Sequence, residues 1–160
     1  MNIYFFGTYN CKADAKGRIM LPISLRNQMQ PILKDGFYIK KSYYKECLEL
    51  YPANQWEKVM GELDEKSRYD EEVDDFIRIF TAGLRPVEVD GTGRLLIAKE
   101  VMNMAGISKN VKIAPIRKHL EIWDLETYEE AVKASKERKK ELAGKVMLPK
   151  PKSKAKDDVS

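Results

Sequence analysis

The chain has 160 residues, of which 43% are hydrophobic and 34% are charged, which excludes disorder throughout and fits one ordinary domain or two small ones. No apolar run approaches the ~20 residues needed to cross a bilayer, and Met1 to Tyr9 lacks the basic start and cleavage site of a signal peptide. We therefore expect a cytoplasmic protein with no membrane partner. The net charge of +4 is uneven, since residues 53–77 carry nine acidic and three basic side chains between two basic regions. This pattern fits a nucleic-acid binder, and it fits a solvated acidic helix equally well.

The N-terminal third of the chain predicts four strands and a short helix. The first two strands bracket a tight loop at Asp14 to Arg18, and Pro22 suits the first turn of a helix that reaches about Met29. Gly36 marks the turn before the third strand. The predicted strands are Ile3 to Tyr9, Ile19 to Leu21, Phe37 to Ile39 and Leu48 to Tyr51.

Two linking helices are predicted next, followed by a second set of strands and a final helix. Apolar residues at i, i+3, i+4 and i+7 mark the linking helices. These residues are Trp56, Val59, Met60 and Leu63 in the first helix, and Val73, Phe76, Ile77 and Phe80 in the second. Beyond Gly144 the chain is rich in lysine and poor in apolar residues, which predicts disorder.

The two sets of strands belong to an internal repeat. DAKGRIMLP at Asp14 to Pro22 is echoed by DGTGRLLIA at Asp90 to Ala98, with the Asp, the Gly before Arg, the Arg and three apolar positions in register. Leu48 to Pro52 is echoed in the same order by Leu120 to Asp124, and the separation falls from 76 to 72 residues. We predict a first repeat at 1–52, linking helices at 53–84, a second repeat at 85–128, a C-terminal helix at 129–144 and a disordered lysine-rich tail at 145–160.

The sequence offers no metal site and no catalytic residues. Cys11, Cys47 and the single histidine, His119, are far apart, whereas zinc sites gather Cys and His in close pairs. Both cysteines are therefore expected to be small buried side chains. Neighbouring carboxylates such as Asp74 and Asp75 point about 100° apart on a helix and do not converge as an acid and a base. We predict that the protein is not an enzyme and has no cofactor.

Both Asp-x-x-Gly-Arg segments have the composition of a rigid loop between two strands. The Asp can accept hydrogen bonds from the backbone ahead of it, the Gly supplies a positive φ, and the Arg begins the outgoing strand. A guanidinium offered from a β-ribbon can bind guanine O6 and N7 in the major groove, while a lysine is better suited to phosphate. We predict that the loops are shaped by Asp14, Gly17, Asp90 and Gly93, and that the DNA-binding residues are Lys16, Arg18, Arg94 and Arg26.

At Asp14 to Arg18 and Asp90 to Arg94 the sequence resembles the MraZ family, whose signature is a twice-repeated Asp-x-x-x-Arg motif. The resemblance covers about residues 1–142. It implies an α+β fold with peripheral helices, in which two tandem repeats form the pseudo-dimer of an AbrB-like swapped-hairpin β-barrel. It also implies a ring-shaped homo-oligomer that binds double-stranded DNA at direct repeats upstream of the cell-division and cell-wall gene cluster, including its own gene. The implied function is sequence-specific regulation of transcription by a nucleoid-associated protein.

Two alternatives remain open at this point. Asp14 with Arg18, and Asp90 with Arg94, could form salt bridges that fix the loops or join protomers, which would leave fewer guanidinium donors for a base. A non-DNA oligomeric scaffold, or an antitoxin-like module, on the same fold would keep the repeat and would need no exposed basic loops.

The two repeats also differ in charge. Lys16 of the first loop corresponds to Thr92 of the second, and Met102 stands where the analogy with Arg26 predicts a basic residue. The first loop is therefore the better candidate for DNA contact.

Overall fold

The computed structural model describes residues 1–148, which contain eight strands and six α-helices. The chain forms two compact units, Met1–Thr127 and a second unit that begins at Tyr128. The strands are β1 Tyr9–Lys12, β2 Arg18–Met20, β3 Phe37–Lys41, β4 Leu48–Pro52, β5 Arg85–Val87, β6 Arg94–Leu96, β7 Asn110–Ile116 and β8 His119–Asp124. The helices are α1 Ile23–Met29, α2 Ala53–Asp64, α3 Glu71–Phe80, α4 Lys99–Met104, α5 Leu125–Glu137 and α6 Lys139–Val146, with a 3₁₀ helix at Gln30–Asp35.

The two repeats exchange strands. Six strands form an antiparallel sheet in the order β1-β7-β8-β4-β3-β5, and β2 pairs with β6 as a separate two-stranded ribbon. The first strand of each repeat therefore pairs with the third strand of the other repeat, β1 with β7 and β5 with β3, while β4 and β8 meet in the centre. The predicted α+β class is confirmed, and the strand order has the two-fold symmetry that a tandem repeat requires.

The sheet and the ribbon do not close into a barrel within residues 1–148. They are connected by two isolated bridges, Ala13 with Ile19 and Val89 with Leu95. Because β2 and β6 are only three residues long, they offer too little edge for a continuous ladder. The swapped-hairpin barrel expected from the sequence is therefore not confirmed, although the exchange of strands between repeats is observed.

One hydrophobic core joins the sheet, the ribbon, α1 and α4. Alternate residues of each strand point into it, because successive side chains of a strand face opposite sides. The sheet contributes Ile39 and Ile113, and the ribbon contributes Ile19 and Leu95, all 0% exposed. Each such aliphatic side chain stabilises the fold by about 1.5–3 kcal/mol relative to an exposed one. The ribbon that presents the two loops is thus fixed by burial of its inner face.

The opposite face of the sheet buries a charged pair. Lys40 on β3 is 0% exposed, its Nζ lies 2.8 Å from Glu49 Oε1 on β4, and it donates to the Lys41 carbonyl at 3.1 Å. The same Nζ lies 4.0 Å from the centre of the Phe80 ring of α3, and Phe80 stacks on Trp56 of α2 at 6.2 Å. A buried ammonium needs such partners to offset its desolvation. The linking helices therefore attach to the sheet through this lysine and an aromatic cover.

Cys11 and Cys47 are buried free thiols, as predicted. Burial raises the pKa of Cys11 to about 11 and also raises the pKa of Cys47, so both thiols stay protonated at neutral pH. Across residues 1–148, no three side chains of His, Cys, Asp or Glu gather as a possible metal site. In the same range, no helix has the length and apolar character that a membrane span requires.

The start of the first strand differs from its prediction. β1 begins at Tyr9, whereas the apolar run predicted a strand from Ile3. The backbone bends at Gly7, where φ is 85°, and Phe5 N donates to the Arg117 carbonyl at 3.0 Å. The segment before β1 is therefore held by the turn between β7 and β8, and it forms no ladder of its own.

The C-terminal helix also differs from its prediction. The chain leaves the helical conformation at Arg138, where φ is −105° and ψ is 18°, so that α5 and α6 replace one continuous helix. The Arg138 guanidinium pairs with Glu141 at 2.5 Å, which stabilises the start of α6. Lys145 and Val146 end α6 and do not begin a tail, and residues 149–160 of the predicted tail lie outside the described residues.

Candidate nucleic-acid interface

The carboxylate of Asp14 holds the first loop in one conformation. Its Oδ1 accepts hydrogen bonds from the backbone N–H groups of Lys16 and Arg18, both at 2.9 Å, and its Oδ2 accepts one from Arg18 Nε at 2.7 Å. Gly17 has a φ of 85° and donates its N–H to the Asp14 carbonyl at 3.0 Å. A glycine is needed here because other residues rarely adopt this φ. The loop is therefore rigid for its size.

The second loop repeats this geometry. Asp90 Oδ1 accepts from the backbone N–H groups of Thr92 and Arg94, both at 2.9 Å, and Oδ2 accepts from Arg94 Nε at 3.0 Å. Gly93 has a φ of 84° and donates to the Asp90 carbonyl at 3.0 Å. One bond has no counterpart in the first loop, since the Thr92 hydroxyl also donates to Asp90 at 2.8 Å.

Both loop carboxylates are held in the ionised form. The backbone N–H of Arg18, with the Arg18 guanidinium and the Lys16 N–H, lowers the pKa of Asp14 to about 2. Bonds from Arg94 and Thr92 lower the pKa of Asp90 in the same way. A carboxyl group whose pKa is depressed in the folded state stabilises the fold above its unfolded-state pKa, and this contribution is lost as the pH falls through the folded-state value.

We expect the double variant Asp14→Asn with Asp90→Asn to lose part of the acid sensitivity of the fold. In the wild type, the free energy of unfolding falls between about pH 4 and pH 2, because the unfolded chain takes up protons that the two folded loops resist. The double variant lacks both groups, so its decline in this window should be shallower by up to two protons per chain. Urea unfolding at pH 4, 3 and 2 measures how the free energy of unfolding declines with pH, with Asp35→Asn as the control outside the loops. An unchanged slope would show that these carboxylates do not stabilise the fold.

Each loop is anchored by the strand that leaves the other loop. Ile97 N donates to the Gly17 carbonyl, and Leu21 N donates to the Gly93 carbonyl, both at 3.0 Å. Both anchoring residues are almost fully buried. The conformation of either loop therefore depends on both repeats.

The two loop arginines lie on the exposed face of the β2–β6 ribbon. Arg18 pairs with Leu96, and Met20 pairs with Arg94, so these four side chains share one face. Met20 and Leu96 are 52% and 54% exposed, while Ile19 on the other face is fully buried. The sequence reasoning did not include Met20 and Leu96 in the site. The period of two along each strand was the signal that could have found them.

The arginines keep part of their donor capacity. In both loops the ion pair with Asp uses Nε, and the arginine side chains are 36% and 34% exposed. Within residues 1–148, the terminal nitrogens of Arg18 and Arg94 have no hydrogen-bond partner. The salt bridges predicted as an alternative are therefore present, and each occupies only the Nε donor of its arginine.

Arg26 lies against the second loop. Its Nη1 donates to the Thr92 carbonyl at 3.5 Å, and its side chain occupies the space that a Cβ at Gly93 would need. Its Nε is buried without a hydrogen-bond partner in the described part of the chain. Met102 takes the equivalent place beside Gly17, with its Sδ 3.6 Å from the position of such a Cβ. Arg26 thus packs against the backbone of the second loop, and its contact with DNA stays a prediction.

Strand exchange and paired Asp-x-x-Gly-Arg loops define a class of two-repeat α+β proteins that present two arginines on a short ribbon. The family model described as MraZ protein, and as antitoxin-like, matches residues 4–79 and 80–147, one match for each repeat. The chain belongs to the MraZ family.

Curated relatives match along most of the chain, and each of them is named transcriptional regulator MraZ. The protein from Christiangramia forsetii is 43% identical over 145 residues, which cover 91% of this chain and 94% of that protein. The protein from Flavobacterium psychrophilum is 42% identical over 141 residues, covering 88% and 90%. The protein from Phocaeicola vulgatus is 35% identical over 123 residues, covering 76% and 80%.

Proposed function

We propose that this protein is a sequence-specific, DNA-binding regulator of transcription. The observation that carries the proposal is the placement of Arg18 and Arg94 on one exposed ribbon face, each oriented by an ionised Asp. Within residues 1–148 the terminal nitrogens of both arginines have no hydrogen-bond partner. The names of the relatives support regulation of transcription. Its targets are direct repeats upstream of the cell-division and cell-wall genes, including its own gene, and it associates with the nucleoid.

Recognition follows from the shape of the ribbon. A two-stranded β-ribbon fits the major groove, where a guanidinium can donate two hydrogen bonds to guanine O6 and N7. The Asp–Arg bond at Nε restricts the guanidinium plane before DNA arrives, so less side-chain entropy is lost on binding. Lys16, exposed at the tip of the first loop, contacts a phosphate.

We also predict that the protein assembles into a closed ring of identical subunits. Large apolar side chains are exposed on the described surface, among them Tyr4 and Ile23, each 67% exposed, Phe6 at 65% and Ile79 at 60%. Subunit contacts would cover such residues. Sedimentation at micromolar concentration should give one species at a multiple of 18.5 kDa. A single species at the monomer mass would rule out the ring.

An oligomeric scaffold, or an antitoxin-like module, is the second candidate, favoured by the antitoxin-like description of the matching family. Binding of a duplex from upstream of the gene, measured against a shuffled duplex over a range of salt concentrations, separates the two. A regulator should prefer the upstream duplex, and its binding should weaken steeply with salt because bound counterions are released. A scaffold should bind neither duplex.

A further inference from the structure

A groove of about 490 Å³ lies beside the first loop. One wall is the loop itself, with Asp14 and Gly17, and the other wall comes from the second repeat. That second wall carries four polar side chains, which are Lys99, Asn103, Ser108 and Lys109. The groove is therefore formed by both repeats, and its lining residue Gly17 directly precedes Arg18 in the sequence.

The backbone places both lysines at the ends of the first loop. Lys99 follows Ile97 by two residues, and Ile97 N is bonded to the Gly17 carbonyl at 3.0 Å. The Lys109 carbonyl accepts from Ala13 N at 2.9 Å, directly before the loop. Both lysine side chains are exposed, and neither has an ion-pair partner in the described part of the chain.

Nearby acidic groups are already engaged. Asp14, which lines the groove, is bound by Arg18, and Glu100, next to Lys99, is paired with Arg85 at 2.8 Å. The positive charge of the groove is therefore not cancelled from within the chain.

The matching region of the second loop lacks the lysines of the first. An offset of 76 residues, which relates Gly17 to Gly93, places Ile23 at the position of Lys99. With Thr92 in place of Lys16, the second loop has no lysine at either of these two positions. Lysines thus border the first loop, whereas the basic side chain in contact with the second loop is Arg26.

We propose that this groove binds the sugar–phosphate backbone of duplex DNA and sets the position of the first loop on its operator. Lys99 and Lys109 of the groove form ion pairs with phosphates, as does Lys16 on the adjoining loop. Asn103 and Ser108 donate further hydrogen bonds to phosphate oxygens. Phosphates are evenly spaced along a DNA strand, so lysines from separate segments of the chain can each bind a different phosphate. The inference rests on the proposed DNA-binding function, and it assigns the two loops unequal roles.

The test compares two double variants. The groove variant combines Lys99→Ala and Lys109→Ala, and the control variant combines Lys66→Ala and Arg68→Ala. The control pair removes the same charge from exposed residues between α2 and α3, outside the groove. Binding of the upstream and shuffled duplexes is measured at several KCl concentrations. We expect the groove variant to weaken both duplexes by the same factor and to lower the log–log salt slope by about 0.9 for each phosphate that an engaged protomer no longer neutralises. A Lys99→Arg with Lys109→Arg protein should keep the wild-type slope.

Other outcomes overturn the inference in distinguishable ways. A groove variant with the affinity and slope of the control pair shows that the lysines do not contact DNA. A loss of preference between duplexes at an unchanged slope shows base contact instead of backbone contact. If the wild type itself binds neither duplex, the proposed function has failed, and the groove proposal fails with it. If the groove variant binds DNA as the control pair does, while Arg18→Ala abolishes the preference for the upstream duplex, the groove proposal is overturned and the proposed function stands.

Discussion

Replacing Arg18 with alanine should abolish most sequence-specific DNA binding and leave the fold nearly unchanged. A bidentate contact between arginine and guanine contributes about 1 to 3 kcal/mol, or a factor of about 5 to 150 for each engaged copy. Several copies bind at once in a ring, so the losses multiply. The ion pair to Asp14 is exposed, and exposed pairs contribute only about 0 to 1 kcal/mol to stability.

Arg85→Ala is the matched control for this variant. Arg85 is also 36% exposed and also pairs with one carboxylate, at Glu100, but it lies outside both loops. It should lower melting temperature as little as Arg18→Ala does and should leave operator preference intact. Lys16→Ala should weaken binding to all DNA sequences by the same factor. It should also reduce the slope of log affinity against log salt concentration by roughly one per engaged copy. An Arg18→Ala protein with unchanged operator preference would remove Arg18 from the site.

Gly17→Ala should be the most destabilising change within the loops. At a φ of 85° a side chain is strained by about 1–3 kcal/mol, and the new Cβ would overlap the carbonyl oxygen of Ile97. That oxygen belongs to backbone, so the chain after β6 must shift, at a further cost of about 1–3 kcal/mol. We expect the free energy of unfolding to fall by about 2 to 6 kcal/mol in urea at fixed protein concentration.

Alanine at two other glycines separates backbone strain from the clash with Ile97. Gly93→Ala has the same backbone strain, but its Cβ would meet the flexible Arg26 side chain, so the loss should be smaller, about 1–3 kcal/mol. Gly91→Ala lies in open space at an ordinary φ and should change stability by less than about 0.5 kcal/mol. Equal losses for Gly17→Ala and Gly91→Ala would contradict the account of the loop.

The loops and linking helices could be predicted from the sequence because their signals are local. The Asp, Gly and Arg of each motif lie within five residues, and the hydrogen bonds that the Asp carboxylate accepts form within that segment. The apolar stripe from Trp56 to Leu63 likewise predicted α2, which runs from Ala53 to Asp64. These signals can be recognised without knowing the distant partners, such as Ile97 and Leu21, that anchor the loops in the folded chain.

Strand exchange and the support of the loops could not be predicted in this way. Alternation of apolar residues in β1 is satisfied by pairing with either repeat, so it does not choose β7. The sequence predicts a DNA contact for Arg26 because it is basic, whereas its position against Gly93 follows from the strand exchange. Lys99 and Lys109 border a loop more than 80 residues away in sequence, and only the register of the sheet brings them there.

Footprinting of the region upstream of the gene with the wild-type protein tests the central claim most directly. A ring that presents one Arg18 loop per subunit should protect evenly spaced short repeats on one face of the duplex, at guanines in the major groove. Methylation of guanine N7 should interfere with binding at those positions. Uniform protection along the fragment, or none at concentrations where the oligomer is intact, would contradict sequence-specific recognition by these loops.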